Sequence, residues 1–291
     1  MLMQCVSPIR VKSKTTGYNF VPCGRCFSCR TNRRSDWFVR IREEFMSTPR
    51  GSRFITLTYD DDHLVYYRKR AANGEWLSLE SDGEWQEYLC NYVEALPGLK
   101  KSDIQNYMKR LRKKLSLYNR KIRYYVVGEY GTKTNRPHYH LIVFGVNQDD
   151  FNLFNSEWYY GSIRYDEVTD ASINYILKYH VDRNEHLDTQ PVKPFALMSK
   201  GIGKVYIDKM TNYHRNSGDL LVTVYGSKKR MPRYYKERIF SSLEREIQCR
   251  ELQARLDAKP IDTPAQMRAK FSNNIYKSVT YRDKVNHTRK L

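Results

Sequence analysis

Residues 136–145 constrain the fold and chemistry of this chain more than any other segment. Their apolar members are mostly β-branched or aromatic, which is typical of a β-strand. Successive side chains of a strand point to opposite faces of the sheet. His138 and His140 therefore share one face, while Tyr139 and Leu141 point to the other. Two imidazoles presented together can hold one divalent metal ion.

The surrounding sequence predicts further strands of an antiparallel sheet, at residues 53–59, 121–130 and 159–165. Residues 131–136 would close a hairpin between the strand at 121–130 and the histidine strand. Glu129 would then lie opposite the histidines, and cross-strand neighbours have Cβ atoms about 4.5–5.5 Å apart. Two imidazoles and one carboxylate leave coordination positions for a phosphate oxygen and water, and this set suits Mg²⁺ or Mn²⁺.

Two other uses of closely spaced histidines are disfavoured at position 142. A histidine-triad nucleotide hydrolase would have a third histidine there, and a metallo-β-lactamase-like site would have an aspartate. This chain has Ile142. Two partly exposed histidines with no ligand role remain the simpler alternative for the pair taken alone.

Apolar stripes at helical spacing predict helices at residues 31–46, from Ser102 to about 117, and from Thr169 or Asp170 to about 180. Over residues 53–183 the predicted order is strand, helix, strand, strand, strand, helix. We expect an α+β fold, an antiparallel sheet with helices packed on one face and the opposite face left for a ligand.

The sequence predicts three regions. Residues 1–50 form a cysteine-rich segment plus a helix, and residues 51–185 form a core with an irregular insertion at about 60–100. Residues 186–291 form a basic C-terminal region that contains a candidate strand at 220–225 and becomes helical from 239. Its polar tail from 270 is typical of disorder.

The charge predicts a polyanionic partner. The chain has 51 Lys and Arg against 32 Asp and Glu, a net charge of +19. Its 24 Tyr, 11 Phe and 4 Trp are interspersed with the basic residues, and bases of single strands stack on such rings. Single-stranded nucleic acid is favoured over duplex. The expected phosphate contacts are Arg30, Arg33, Arg34, Lys109, Arg110, Lys113, Lys228, Lys229 and Arg230.

The cysteines indicate a second metal site. No segment approaches the ~18 apolar residues that span a bilayer, so we expect no membrane partner and a cytoplasmic location, where disulfides do not persist. Cys23, Cys26 and Cys29 have the spacing of metal ligands, and Cys5 can complete a four-thiolate Zn²⁺ site. Reduced thiols without a metal and an iron–sulfur cluster are the alternatives.

Tyr175 and Tyr179 are candidate nucleophiles. They are four residues apart on a predicted helix, so they share one face, which Lys178 flanks. Tyrosines that only pack in a core would show the same spacing. A phenol that attacks phosphorus needs a polarised phosphate and stabilisation of the developing charge. The histidine site can supply the first requirement, and Lys178 part of the second.

The motif 138–140 (His-Tyr-His) together with 175–179 (Tyr-Ile-Leu-Lys-Tyr) resembles the HUH superfamily of rolling-circle replication initiators and relaxases. The similarity is closest to the replication initiator proteins of microviruses, small single-stranded DNA bacteriophages, and among them the gokushovirus-like group. It extends over residues 5 to 240. The segments that carry it are residues 22–26, 54–59, 128–131, 136–140, 199–203 and 232–235.

The resemblance implies an HUH endonuclease with an RRM-like palm that nicks origin DNA through a 5′-phosphotyrosyl intermediate. His138 and His140 would be metal ligands, with Glu129 as the third. One tyrosine would release a 3′-OH primer for a host polymerase and helicase, and the other would cut the regenerated origin. Which of Tyr175 and Tyr179 acts first stays open. The rival functions are a noncatalytic basic nucleic-acid-binding protein with structural zinc and a single-strand transposase.

Overall fold

The computed structural model of the 291-residue chain describes residues 5, 7–13, 17–69, 76–78, 95–131, 133–178 and 190–257. It divides into two compact units, one within Met1–Val39 and Tyr206–Leu291 and the other within Arg40–Val205. The predicted boundaries at residues 50 and 185 stay predictions.

The strands are β1 (Ile9–Ser13), β2 (Gly17–Val21), β3 (Ser52–Thr58), β4 (Tyr66–Lys69), β5 (Trp76–Ser78), β6 (Ala95–Pro97), β7 (Arg123–Tyr130), β8 (Pro137–Phe144), β9 (Ile163–Glu167), β10 (Phe195–Met198), β11 (Leu221–Val224) and β12 (Ser227–Arg230). The α-helices are α1 (Phe27–Ser47), α2 (Lys101–Ser116), α3 (Phe151–Glu157), α4 (Asp170–Ile176), α5 (Lys204–Ser217), α6 (Arg233–Ile239) and α7 (Ser242–Asp257). A short 3₁₀ helix occupies Gln148–Asp150.

The unit Arg40–Val205 is built on a five-stranded antiparallel sheet in the order β10-β7-β8-β3-β9. The predicted hairpin between β7 and β8 is confirmed, because the Gly131 N–H donates to the Arg136 carbonyl at 3.0 Å. Asn135 closes this loop at φ +51°, a left-handed conformation that Asn tolerates better than most residues. The register pairs Glu129 with His138 and Val127 with His140.

One face of this sheet packs on α2 and α3 and forms the main core. The α2 residues in this core recur at spacings of three and four, as the predicted stripe requires. Side chains of β3, β7 and β8 meet them from the sheet. The core includes Ile55, Leu57, Val126, Tyr139, Leu141, Val143, Ile104, Tyr107, Met108, Leu111, Leu115, Phe154 and Trp158.

The other face is also covered, so the prediction of helices on one face was wrong. Tyr175 of α4 makes an edge contact with His140 and with Phe54, whose side chains point away from the main core. The reason lies in β8, where residues 139 to 144 are all buried. A strand that is apolar on both faces needs cover on both faces.

Several predicted boundaries were wrong. Strand β9 covers Ile163–Glu167 rather than 159–165, and α4 ends at Ile176 rather than near 180. Ser102 is not the cap of α2, whose N-cap residue Lys100 has no side-chain hydrogen bond. The insertion is not wholly irregular, since its described residues include the three-stranded sheet β5-β4-β6.

The second unit has its own core, formed by Val39 of α1 and buried side chains from α5, β11, β12 and α6, which are Tyr206, Ile207, Val222, Val224, Met231, Tyr235, Ile239 and Phe240. The antiparallel pairs β1–β2 and β11–β12 belong to this unit. The predicted polar tail from residue 270 lies outside the described residues. Within the ranges that the structure describes, no helix has the length and apolarity to cross a bilayer.

Candidate active site

The β7–β8 register brings Glu129, His138 and His140 together on one face of the sheet. Glu129 Oε1 lies 3.4 Å from His138 Nε2 and 3.1 Å from His140 Nε2. One ligand atom from each residue lies within 4.8 Å of the other two. The convergence predicted from sequence is thus present in the structure.

Hydrogen bonds fix the far side of each imidazole. His138 Nδ1 lies 3.2 Å from the Arg136 carbonyl oxygen, and a carbonyl accepts, so this nitrogen carries the proton. His140 Nδ1 lies 3.0 Å from Thr56 Oγ1, and Phe54 stacks on the His140 ring at 5.5 Å between centroids. Both Nε2 atoms therefore face Glu129, as in metal sites where a partner on the other nitrogen orients the ring.

The charges of the cluster support one another. Burial opposes ionisation of Glu129, but hydrogen bonds from His138 and His140 outweigh it and hold the pKa of that carboxyl well below its usual range. Burial also opposes protonation of His138, but the bond with Glu129 raises the pKa of this imidazole above its ordinary value. A divalent cation would take the place of these protons beside the same carboxylate.

The donor set fits a catalytic metal ion. Two imidazole nitrogens and one carboxylate oxygen form a three-ligand set with open positions, which transition metals such as Mn²⁺ accept. A purely structural zinc site is normally closed by four protein ligands. The three side chains present can therefore hold an ion and still leave room for substrate oxygen.

The hydroxyl of Tyr175 lies directly at this cluster. It is 3.1 Å from Glu129 Oε1 and 3.3 Å from His140 Nε2, and 41% of the residue is exposed to solvent. Helix α4 begins with a reciprocal cap in which the Ser172 N–H donates to Thr169 Oγ1 at 3.2 Å and the Thr169 N–H to Ser172 Oγ at 2.8 Å. This cap fixes the first turn of the short helix that carries Tyr175.

Lys178 lies beside Tyr175, as predicted, with Nζ 5.0 Å from the centre of the phenol ring. Its backbone N–H donates to the Tyr175 carbonyl in the turn that follows α4. Because α4 ends at Ile176, the predicted helical face shared with Tyr179 does not extend that far within the described chain. Tyr179 itself lies outside the described residues.

A buried network on the opposite sheet face holds the histidine strand in register. The Tyr139 hydroxyl lies 2.9 Å from that of Tyr59, which donates to Asp103 Oδ2 at 2.9 Å. The Lys100 N–H donates to the same Tyr139 hydroxyl at 3.0 Å. Gly128 pairs with Tyr139, and a Cβ at Gly128 would lie 3.2 Å from the Tyr139 ring. Any larger residue at 128 would crowd the side chain between the two histidines.

Comparison with known proteins agrees with this site. The profile of the replication-associated protein ORF2 family matches residues 52–184. This chain is thus a relative of phage replication-associated proteins. The resemblance that the motifs predicted is confirmed, and Glu129, His138, His140 and Tyr175 all lie within the matched region.

Three curated relatives illustrate the similarity. Replication-associated protein ORF2 of Spiroplasma virus 4 is 29% identical over 248 residues, 78% of this chain and 69% of the relative. Replication-associated protein VP4 of Bdellovibrio phage phiMH2K is 29% identical over 276 residues, 81% and 76%. Replication-associated protein ORF4 of Chlamydia phage 1 is 27% identical over 179 residues, 55% and 37%. No solved structure matches the chain.

The cysteine cluster lies outside the region that the family profile matches. Cys5 Sγ is 3.6 Å from Cys23 Sγ and 3.8 Å from Cys26 Sγ, and Cys23 Sγ is 4.0 Å from Cys29 Sγ. The Cys23 N–H points to Cys5 Sγ, and the Cys26 N–H points to Cys23 Sγ, both at 3.3 Å. The bond from Cys26 lowers the pKa of Cys23 to about 6, while burial raises the pKa of Cys29 to about 12.

The predicted phosphate contacts differ in how much they are already engaged. Arg110 binds Glu157 at 3.1 Å, and Arg230 binds both carboxylate oxygens of Asp36 at 2.7 and 2.6 Å. Exposed basic side chains are Arg33, Lys109, Lys113 and Lys228, and half-buried ones are Arg30, Arg34 and Lys229. Their role in DNA binding stays a prediction.

Sequence reasoning assigned no role in the site to Phe54 or Thr56. Both lie on β3, whose register places Thr56 opposite His140 and Phe54 opposite Ile142. The signal was present in the alternation of residues 53–59, because even positions of that strand must share the histidine face. Only the pairing of β3 with β8, which joins distant segments, shows which histidine Thr56 contacts.

Proposed function

We propose that this protein is an origin-specific single-strand DNA endonuclease and strand-transfer enzyme, an HUH nickase that initiates rolling-circle replication of a phage genome. One observation carries the proposal: the Tyr175 hydroxyl lies within 3.3 Å of both His140 and Glu129. A phenol that only packs in a core has no reason to lie against three candidate metal ligands. The printed names of the relatives, all replication-associated, support the same role.

Glu129, His138 and His140 would hold Mg²⁺ or Mn²⁺, which when bound polarises the scissile phosphate and stabilises the leaving oxygen. The Tyr175 oxygen attacks phosphorus and loses its proton. The bond from phosphorus to the 3′-oxygen breaks, and that oxygen gains a proton. The 5′-phosphate remains on the tyrosine. Lys178, beside the Tyr175 ring, adds positive charge where negative charge develops.

Tyr179 would cut the regenerated origin after one round, so that the displaced strand can be closed into a circle. This second role rests on the resemblance of residues 175–179 to the two-tyrosine initiators. The free 3′-OH would be extended by a host polymerase, with a host helicase opening the duplex, in the cytoplasm of the bacterial host. The DNA partners are the single strand and the origin.

The proposal predicts a covalent protein–DNA adduct. Purified protein is incubated with end-labelled single-stranded DNA of its phage genome and Mn²⁺, boiled in detergent and separated on a denaturing gel. We expect labelled adduct with the wild-type chain, less with Tyr175→Phe, and none with Tyr175→Phe/Tyr179→Phe. Tyr118→Phe, at a tyrosine that is 73% exposed on the loop after α2, is the matched control and keeps the adduct.

Sequencing the DNA attached to the tryptic peptide would identify the origin. Reversible binding without adduct on this DNA would contradict the nickase and support a noncatalytic nucleic-acid-binding protein. Cleavage only at paired hairpin ends would support a single-strand transposase instead.

We also infer that the four cysteines hold a structural Zn²⁺. Tetrahedral zinc with Zn–S bonds of about 2.3 Å places thiolate sulfurs about 3.8 Å apart. The measured separations of 3.6, 3.8 and 4.0 Å bracket that value. An iron–sulfur cluster has several irons and sulfides between its cysteines, which requires wider spacing than a single ion. The closed four-thiolate set leaves no position for a substrate.

A further inference from the structure

The tip of the β11–β12 hairpin contains a backbone conformation that its residue type does not favour. Tyr225 and Gly226 form a two-residue turn with φ values of +49° and +71°, and Val224 and Ser227 close it. The other non-glycine residues with positive φ in the described chain are Asn119 and Asn135. Asn enters this left-handed region readily, whereas a bulky aromatic residue there is an outlier.

The turn geometry alone does not explain a tyrosine at this position. Hairpins with both central residues at positive φ are most often built with Asn-Gly or Asp-Gly. Strained residues of this kind occur mainly where the side chain has a function. A substitution to Asn would relieve the strain and keep the turn, so the fold by itself favours a different residue.

Packing does not explain the tyrosine either. The hairpin is anchored in its unit by Val222 and Val224, which are 0% and 2% exposed. Tyr225 is 69% exposed, and a Cβ added at Gly226 would meet no atom within 4 Å. The tip therefore extends into solvent and presents an aromatic ring at the end of a well-anchored support.

The strand that follows the tip is strongly basic. Residues 228–238 contain six Lys and Arg and a single acidic residue. Arg230 is held by Asp36 and Arg233 by Glu237, but the Lys228 side chain remains 66% exposed, 3.9 Å from Asp219. Lys228 pairs with Thr223 on the face of the hairpin away from the core valines. An exposed ring beside exposed positive charge matches the two groups that a single strand offers, an unstacked base and a phosphate.

We propose that the β11–β12 tip is a contact site for single-stranded DNA, in which the Tyr225 ring stacks on an unpaired base and Lys228 pairs with a neighbouring phosphate. The inference rests on the proposed function for the identity of the polymer, but it does not depend on cleavage. Stacking is independent of base identity, so this contact grips the strand without reading its sequence. A base in intact duplex has both faces covered and cannot occupy the site.

Tyr225→Asn separates this role from a structural one. It provides the residue that the turn prefers, so we expect a thermal midpoint equal to or above that of the wild-type chain. Loss of one stacked base should weaken binding of a fluorescent single-stranded oligonucleotide about 5- to 150-fold, measured by anisotropy without divalent metal. Tyr225→Phe retains the ring and should bind like the wild-type chain.

Lys228→Ala should weaken binding of the same oligonucleotide and make its salt dependence shallower by about 0.7 in the log–log slope. Binding of Tyr225→Asn equal to wild type would overturn the proposal. So would an equal loss with Tyr225→Phe, or an equal loss on blunt duplex of the same sequence. Adduct formation by the intact chain is scored separately, so failure of the nickase reaction and failure of the hairpin contact give different results.

Discussion

The two candidate metal centres of this chain differ in almost every respect except that each brings ligands together. The Glu129, His138 and His140 centre lies on paired strands, has three donors of mixed type, and has a tyrosine hydroxyl against it. The cysteine centre has four sulfur donors from a short segment, and two of them accept backbone N–H bonds. An incomplete ligand set permits chemistry, and a complete one favours stability.

The two centres also differ in what assembles them. Sheet pairing and the buried Tyr139 network position the first centre, and its ion pairs give it internal charge balance without a metal. The second brings together thiols whose pKa values are pushed in opposite directions, to about 6 at Cys23 and about 12 at Cys29. A divalent ion would stabilise all four as thiolates, so this centre depends on metal for its structure.

The largest expected effect is on catalysis. His140→Ala removes a ligand and the partner of Tyr175, so we expect adduct formation to fall by more than the about 10- to 100-fold typical of losing a supporting residue. His63→Ala is the matched control, because His63 is an exposed histidine bonded to Asp60, and should keep full activity. Quantifying adduct against time for both variants checks this. Equal activity of His140→Ala would remove the proposed catalytic centre.

The next effect is on stability. Structural zinc sites contribute apparent binding free energies of about 10–16 kcal/mol at pH 7, so Cys29→Ser should lose bound zinc and lower the free energy of unfolding by several kcal/mol. Zinc content by mass spectrometry and thermal unfolding measure the two outcomes. His140→Ala should retain one zinc per chain. Loss of zinc from both variants, or from neither, would contradict the assignment of separate roles.

A smaller effect is expected from Thr56, which supports His140 without touching the ion. Thr56→Val deletes the hydroxyl 3.0 Å from His140 Nδ1 and should weaken Mn²⁺ binding about 10- to 100-fold. Thr56→Ser keeps the hydroxyl and should restore binding to within a few-fold. Titration calorimetry with Mn²⁺ compares the three chains. A Val variant that binds Mn²⁺ normally would show that Thr56 only packs.

The smallest effect is a pH dependence that the cysteine centre should not share. The raised pKa of His138 stabilises the metal-free fold below the ordinary histidine pKa, and this contribution is lost as pH rises through the raised value. Metal binding needs the unprotonated nitrogen, so affinity for Mn²⁺ should rise with pH, about tenfold per unit where one proton is displaced. Electron paramagnetic resonance of free Mn²⁺ from pH 6 to 8 would measure it. A flat profile would mean that His138 does not bind the ion.

Local patterns predicted the catalytic centre better than the fold around it. Counting along the β7–β8 hairpin was enough to place Glu129 opposite His138, because strand pairing across a short loop is a local geometry. Helix ends were less predictable: Ser102 lost the capping position of α2, which begins one residue earlier at Lys101. Strand β10 and helix α5 were missed, since their short apolar patterns make sense only against distant partners.

The spacing of the cysteines likewise predicted a cluster, because three of them recur at intervals of three residues around the start of α1. Cys5 was harder to include, since it lies 18 residues before Cys23 along the chain. The role of Thr56 and the cover of α4 over the second sheet face depend on tertiary contacts that no sequence period encodes.

The alternation of β8 has a consequence for variation in this chain. Tyr139 is 0% exposed and lies between two ligands that are displayed on the reverse side of the same strand. A slip of one residue would drive both imidazoles into hydrocarbon and bring a phenol out in their place. Insertions or deletions within 137–144 should therefore give misfolded chains instead of weakened enzymes, and gradual adaptation of metal preference is confined to exchanges of single side chains.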